Sequence, residues 1–193
     1  MELAELHLVL PDWLRARLDG RAPLLADPVE RMRFVIELAR ENVEQATGGP
    51  FAAGVFDADG RLVAPGVNLV TSAQCAILHA EMVAIALAQQ RLHTYDLATQ
   101  GFFELVVSAD PCAMCFGAVP WSGVSRLVCA ASSDDVRAIG FDEGSKPDDW
   151  VETLERRGIA VRRGLLREEA TAVLRRYVEL AGPTYNASRC QAP

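Results

Sequence analysis

Four stretches of the chain have patterns of apolar and polar residues that are typical of helices. We predict that the first helix begins at Asp27 and Pro28, because aspartate caps helix N-termini and proline suits a first turn. Apolar positions then follow every three or four residues until Gly48 and Gly49, where the pattern ends. Three more helices are predicted: residues 78–90 are rich in Ala, Leu and Met, Asp110-Pro111 opens a helix that runs to about residue 121, and Gly182-Pro183 ends a helix at residues 165–180.

Short apolar runs between these helices predict strands. Two such runs, residues 51–56 and 61–67, flank Asp57-Ala58-Asp59-Gly60, which is typical of a hairpin turn. Further strands are predicted at residues 102–108, 126–131 and 159–163. Because strands alternate with helices, the pattern indicates a layered α/β domain with some parallel strand pairing.

The length of 193 residues accommodates one domain with short additions. We predict an N-terminal extension at residues 1–26, a domain at residues 27–181 and a tail at residues 182–193. Half of the residues are hydrophobic and 23% are charged, which is typical of a globular protein. The N-terminus is acidic, and polar residues interrupt the longest uncharged stretch, so we expect neither a signal peptide nor a membrane span. The expectation is a cytoplasmic protein.

Net charge and cysteine count narrow the choice of chemistry. Nineteen basic residues against 26 acidic ones give a net charge of −7, which disfavours contact with nucleic-acid phosphates. The number of cysteines, five, is odd, and a chain of this size does not need disulfides to fold. We therefore expect reduced thiols, and closely spaced reduced thiols favour a metal site. Cys75, Cys129 and Cys190 lack such spacing and are interpreted as inert thiols.

Two short segments, His79-Ala80-Glu81 and Pro111-Cys112-Ala113-Met114-Cys115, carry the candidate chemistry. The two cysteines are three positions apart, so at a helix start both sulfurs can face one ion. Thiolates and imidazole are good zinc ligands, and three protein ligands leave the open position that is typical of catalytic zinc. Glu81 would then move the proton of an activated water. His79 and Glu81 share a site only where the helix is just beginning, since positions two apart on a regular helix point about 200° apart.

With these motifs in this order, the chain resembles the cytidine deaminase superfamily, and most of all its bacterial guanine deaminases. The likeness covers about residues 30–145 and includes three further motifs, Gly49-Pro50-Phe51, Gly66-Val67-Asn68 and Phe141-Asp142-Glu143. It implies a three-layer α/β/α sandwich with a mixed central sheet. It also implies Zn²⁺ as the cofactor, Glu81 as the general acid/base and three zinc ligands, His79, Cys112 and Cys115.

The resemblance also implies contacts with the substrate. Asn68 matches the residue that hydrogen-bonds the base. Glu143 matches a second acid that contacts the purine and shuttles protons, and it is one methylene longer than the aspartate of the guanine branch. Four aromatic residues would line the pocket: Phe51, Trp121, Phe141 and Tyr185. Of these, Tyr185 lies in the C-terminal tail and would close over the site of its own chain or of a partner subunit.

Taken together, these features predict a zinc-dependent guanine deaminase that produces xanthine and ammonia from a small nucleobase and forms a homodimer. A tRNA adenosine deaminase has very similar motifs, but the acidic charge and Phe141-Asp142-Glu143 argue against it. Another base, a nucleoside or an aminated triazine are alternative substrates. A non-catalytic zinc module is the alternative outside enzymes, and a structural four-ligand site would recruit Cys75 or Cys129.

Overall fold

The computed structural model describes residue 3 and residues 5–186. Its centre is a five-stranded mixed sheet with the order β2-β1-β3-β4-β5. Strand β1 pairs antiparallel with β2 and β3, whereas β3, β4 and β5 run parallel to one another. The strands are β1 (Ala52–Asp57), β2 (Leu62–Val67), β3 (Phe103–Ala109), β4 (Arg126–Ala131) and β5 (Ala160–Arg162).

Helices cover both faces of this sheet. Helices α2 and α7 pack on one face, and α3 and α4 belong to the layer on the other. This is the three-layer α/β/α arrangement with a mixed sheet that was predicted. The helices are α1 (Asp12–Leu18), α2 (Pro28–Glu44), α3 (Ala80–Arg91), α4 (Ala113–Ser122), α5 (Ser133–Ala138), α6 (Trp150–Glu155) and α7 (Arg167–Glu179), with a 3-10 turn at Leu97–Thr99.

Alternating side chains of the central strands feed two separate hydrophobic cores. In β3, Leu105 and Val107 enter the core beneath α3, and Val106 enters the core beneath α2 and α7. This follows from the two-residue period of a strand, which sends successive side chains to opposite faces. Since both faces are covered by helices, the central strands are buried along almost their whole length and are mainly apolar.

The predicted elements all form, with ends shifted by a few residues. Asp27 caps α2 as expected, because its side chain accepts a hydrogen bond from the backbone N–H of Val29 at 2.9 Å. Helices α1, α5 and α6 were not predicted, since each has only six or seven residues and too few turns to show a period. A local signal was present for α5, where Ser132 and Asp135 form a reciprocal capping box.

The described part of the N-terminal extension packs against the rest of the protein. Leu14 is fully buried in the core beneath α2. The indole of Trp13 donates a hydrogen bond to the hydroxyl of Thr47 at 2.9 Å, and Leu24 bridges to Arg61 beside β2. In the part of the chain that the structure describes, no helix combines the length and hydrophobicity needed to cross a bilayer.

A buried ion pair links α2 to the sheet. Glu104 on β3 has a side chain only 3% exposed. It accepts a hydrogen bond from the guanidinium of Arg31 at 2.9 Å and another from Arg126 at 3.3 Å. Arg31 also donates to the backbone carbonyls of residues 25 and 26, so its charge is well satisfied.

We expect Glu104→Gln to lower the free energy of unfolding by about 3 kcal/mol, because it leaves the buried Arg31 guanidinium without its counter-charge. Urea denaturation followed by circular dichroism measures this loss. The matched control is Glu44→Gln, which removes the exposed partner of Arg176 and should change the stability little. Equal losses in the two variants would show that burial of the pair at Glu104 contributes nothing special.

Candidate active site

The starts of two helices bring the three predicted zinc ligands together. His79 immediately precedes α3 and Cys112 immediately precedes α4, each with an extended backbone, and Cys115 lies in the first turn of α4. Because His79 stands outside the helix, its direction is not tied to that of Glu81 by helical spacing. His79 and Glu81 can therefore share one site, because the helix is just beginning there, as their spacing in the sequence requires.

The distances within this group suit a zinc ion. Nδ1 of His79 lies 3.5 Å from Sγ of Cys112 and 3.6 Å from Sγ of Cys115, and the three atoms lie within 4.8 Å of one another. Usual Zn–N and Zn–S bond lengths in a tetrahedral site place nitrogen and sulfur ~3.6 Å apart. Neither Cys75 nor Cys129 belongs to the group, and both are free thiols, so the four-ligand alternative is not formed.

The surroundings favour a thiolate at the centre and a proton on the neighbouring acid. Hydrogen bonding by the Cys115 thiol, aided by His79, lowers the pKa of Cys112 to about 4. The N-termini of α3 and α4 point at the group, and their partial positive charge also stabilises a thiolate. Burial raises the pKa of Glu81, so this carboxyl group can hold a proton where an exposed glutamate would not.

A cavity of about 320 Å³ adjoins His79, Glu81 and Cys112. This volume is at the lower end of the range for small-ligand pockets. The ring of Phe141 meets that of Tyr185 with centroids 4.8 Å apart and that of Phe51 with centroids 5.2 Å apart, both edge to face. The structure thus places these three predicted aromatics around one cavity within a single chain.

Asn68 also lines the cavity, just beyond the end of β2. It is almost fully buried, and its side-chain oxygen accepts a hydrogen bond from the backbone N–H of Val70 at 3.3 Å. Its backbone carbonyl accepts one from the side chain of Asn42 at 3.0 Å. A side chain on Gly48 would come within 1.8 Å of that carbonyl, so only glycine permits this approach. The position of Asn68 is therefore held by its neighbours on both sides.

Glu143 reaches the same cavity from the loop between α5 and α6. Its backbone carbonyl accepts a hydrogen bond from the N–H of Ala113 at 2.8 Å, which fixes the loop to the start of α4. Burial raises the pKa of its carboxyl group to about 7, against the opposing effect of the Lys146 ammonium. Oε2 of Glu143 has no hydrogen-bond partner among the described residues.

Trp121 does not line the cavity of its own chain, which corrects the prediction made for it. It lies at the far end of α4, ~9 Å along the helix from Cys115, and is 82% exposed. The tryptophan follows the cysteine motif in sequence, but six further residues of helix carry it away from the site. Sequence order alone does not show this separation.

Two residues that sequence reasoning missed support the site. Asp110 was predicted to open a helix, but α4 begins three residues later, and the buried carboxylate pairs with Arg163 through two hydrogen bonds. Asn186 accepts a hydrogen bond from the N–H of Asp142 and donates one to the carbonyl of Gly140, both at 2.8 Å, so the tail holds the Glu143 loop. The tail has no periodicity that could reveal this contact. The remainder of the tail, residues 187–193 with Cys190, lies outside the described residues.

Comparison with known proteins agrees with this site. The family model of the cytidine and deoxycytidylate deaminase zinc-binding region matches residues 27–131, more than half of the chain. The solved structure of a guanine deaminase from Nitrosomonas europaea is 52% identical, with a TM-score of 0.85 over 90% of this chain and 96% of that chain.

Two curated relatives are similar over shorter spans. Guanine deaminase of Bacillus subtilis is 37% identical over 112 residues, which are 58% of this chain and 69% of that protein. A tRNA-specific adenosine deaminase of Haemophilus influenzae is 32% identical over 109 residues, 56% of this chain and 61% of that protein. With its zinc-ligand group, its fold and these matches, the chain belongs to the cytidine and deoxycytidylate deaminase family.

Proposed function

We propose that this protein is a zinc-dependent guanine deaminase, which converts guanine and water to xanthine and ammonia. The observation that carries the proposal is one cavity that joins a His-Cys-Cys group to two buried acids, Glu81 and Glu143. The similarity to two guanine deaminases supports the choice of base. A non-catalytic zinc module would not need an acid at the metal, whereas here Glu81 faces the same cavity as the ligands.

His79, Cys112 and Cys115 would hold the zinc ion. When bound, zinc supplies an activated water as the nucleophile for C2 of guanine, the carbon that carries the exocyclic amine. The thiolate and imidazole donors suit this ion, and the Nδ1 atom of His79 is the ring nitrogen that faces both sulfurs.

Glu81 performs the proton transfers. It accepts one proton from the attacking water and passes it to a ring nitrogen. It then takes the second proton, from the hydroxyl group that the water has become on C2, and passes it to the amine. The amine must be protonated before it leaves, because an amide ion is a poor leaving group. Burial raises the pKa of Glu81, so the carboxyl group can keep the proton between these two steps.

The other side chains of the cavity orient the base. Guanine presents N–H donors along one edge, and a carboxylate at Glu143 accepts from such donors. The amide of Asn68 hydrogen-bonds the base, and the rings of Phe51, Phe141 and Tyr185 surround a flat purine.

A tRNA adenosine deaminase is the second candidate, since one relative of that kind is 32% identical. Adenine would need hydrogen-bond donors at its ring nitrogens, whereas Glu143 is an acceptor when ionised. The net charge of −7 also opposes binding to a phosphate backbone. Both features favour a free base.

The protein would act in the cytoplasm as a homodimer. Helix α4 carries no charged residue from Ala113 to Ser122, yet Gly117 and Trp121, one turn apart, are exposed. An uncharged helix face with an exposed tryptophan favours contact with a second copy.

The first test concerns the metal. We expect purified protein to hold one zinc ion per chain by plasma mass spectrometry. His79→Ala and Cys112→Ser should lose most of it, because two ligands do not replace three. The matched control Cys75→Ser changes a thiol outside the group and should keep full zinc. Stoichiometric zinc in His79→Ala would exclude the proposed ligand set.

The second test concerns the reaction. We expect Glu81→Gln to reduce kcat for ammonia release from guanine by about 100-fold or more, with the zinc content unchanged. Glu44→Gln, the same substitution at an exposed position, should retain wild-type kcat. A Glu81→Gln protein with full turnover would disprove the role of this residue.

The choice of substrate is checked with the wild-type protein on a panel of guanine, cytosine, adenine, nucleosides and triazines. Guanine should give the highest kcat/KM. Salt-dependent retention of tRNA, together with inosine formation in it, would favour the second candidate instead.

The third test concerns assembly. Size-exclusion chromatography with light scattering should give twice the mass of the chain for the wild type and the mass of one chain for Trp121→Lys. The matched control Val178→Lys alters an exposed apolar side chain on α7, on the other face of the sheet, and should remain at twice the chain mass. A wild type with the mass of one chain would end the dimer proposal.

A further inference from the structure

Lys146 is a buried cation beside the second acid of the site. Its side chain is only 4% exposed. Its ammonium donates hydrogen bonds to the backbone carbonyl of Pro111 at 2.6 Å and to the hydroxyl of Ser133 at 2.9 Å. It lies 4.0 Å from Oε2 of Glu143 and 4.6 Å from the centre of the Trp150 ring.

The composition of the chain marks this position as unusual. Of the 19 basic residues, 18 are arginines, and Lys146 is the one lysine in the whole sequence. Lys146 is thus a compact ammonium in a chain whose other 18 basic residues carry a guanidinium. An ammonium is a point charge with three donors, whereas a guanidinium is a larger planar fork. The compact group suits a site where oxygens of three different residues lie around the cation.

The two hydrogen bonds of Lys146 leave one N–H group of its ammonium without an acceptor. An ammonium has three N–H groups, and the carbonyl of Pro111 and the hydroxyl of Ser133 use two of them. The nearest acceptor without a partner is Oε2 of Glu143, which is buried. The other cation against Trp150 is Arg163, and it is engaged by Asp110 through two hydrogen bonds. Lys146 is thus the cation whose charge and remaining N–H group are available to the Glu143 carboxylate.

We propose that Lys146 is a positioning residue that holds one carboxylate oxygen of Glu143, so that the other oxygen faces the base. This inference rests on the proposed function. The same ammonium is bonded to the carbonyl of Pro111, the residue before the zinc ligand Cys112. Lys146 therefore connects the Glu143 loop to the zinc-ligand loop. Through this connection, the position of Glu143 depends on the position of the first turn of α4.

A double-mutant cycle tests this role. Lys146→Met removes the charge but retains the length and apolar stem of the side chain, and Glu143→Gln removes the acid. We expect Lys146→Met alone to lower kcat by about tenfold or more, because Glu143 loses the buried ammonium that lies 4.0 Å from it, with zinc content unchanged. In the Glu143→Gln background, the same substitution should change kcat by less than about twofold, because the carboxylate charge that the ammonium faces is already gone.

The cycle separates a positioning role from a merely structural one. If Lys146 only supports the fold, Lys146→Met lowers kcat by the same factor in both backgrounds, and that result overturns the proposal. An unchanged kcat in Lys146→Met overturns it too. Arg162→Met removes one exposed positive charge from β5 and should leave kcat as in the wild type in both backgrounds. Should Lys146→Met give no folded protein, Lys146→Gln takes its place in the same cycle.

The two proposals fail in different ways. Wild-type protein that does not deaminate guanine contradicts the proposed function. The cycle is then measured on whichever base of the panel the wild type deaminates, and the ratio of the two Lys146→Met effects still decides the role of Lys146.

Discussion

The site depends on two helices that begin at the same point. His79 and Cys112 each occupy the last extended position before a helix, so their side chains are free of helical spacing and converge. Both helices direct their positive ends at this point, which stabilises thiolate character there. A shift of either helix start by one residue would turn His79 away from the sulfurs or Glu81 away from the cavity. The chemistry therefore depends on backbone conformation at two residues.

The sheet determines where these helices begin. Strands β3 and β4 are parallel, so the loop after β3 and the loop after β4 emerge at the same edge. Asp110 follows β3 directly, and its backbone N–H donates to the carbonyl of Ala131 at the end of β4. Its carboxylate accepts a hydrogen bond from the N–H of Ser133 and pairs with Arg163. The zinc-ligand loop is thus fixed to two other segments by hydrogen bonds of Asp110.

Sequence patterns were sufficient for the parts of the protein that repeat or carry motifs. Long amphipathic stretches predicted α2 and α7, because burial of one helix face imposes a period. Short apolar runs predicted all five strands, because the sheet is covered on both faces. His79, Glu81 and the two cysteines were found because metal chemistry restricts both residue type and spacing. The helix start that His79 required could be stated as a condition and was then found in the structure.

Other contacts left no such pattern. Asn186 meets the Glu143 loop across more than forty residues of chain, and no local spacing encodes that contact. Trp121 looked like part of the pocket because it follows the motif, yet the length of α4 takes it away. Lys146 was hidden within a total count of basic residues, although its being a single lysine among arginines is visible in the sequence. Composition by residue type would have drawn attention to it.

The three tryptophans of the chain occupy three different environments, and this has an optical consequence. Trp150 is buried with two cations against its ring, next to the Glu143 loop, Trp13 is partly buried on the other side of the sheet, and Trp121 is exposed. Indole emission depends on polarity and on nearby charge, so we expect the three rings to emit at different wavelengths. The most blue-shifted component should come from the buried Trp150, whose ring lies 4.6 Å from the Lys146 ammonium. The intrinsic fluorescence of Trp150 should therefore change when Lys146 and the Glu143 loop change position.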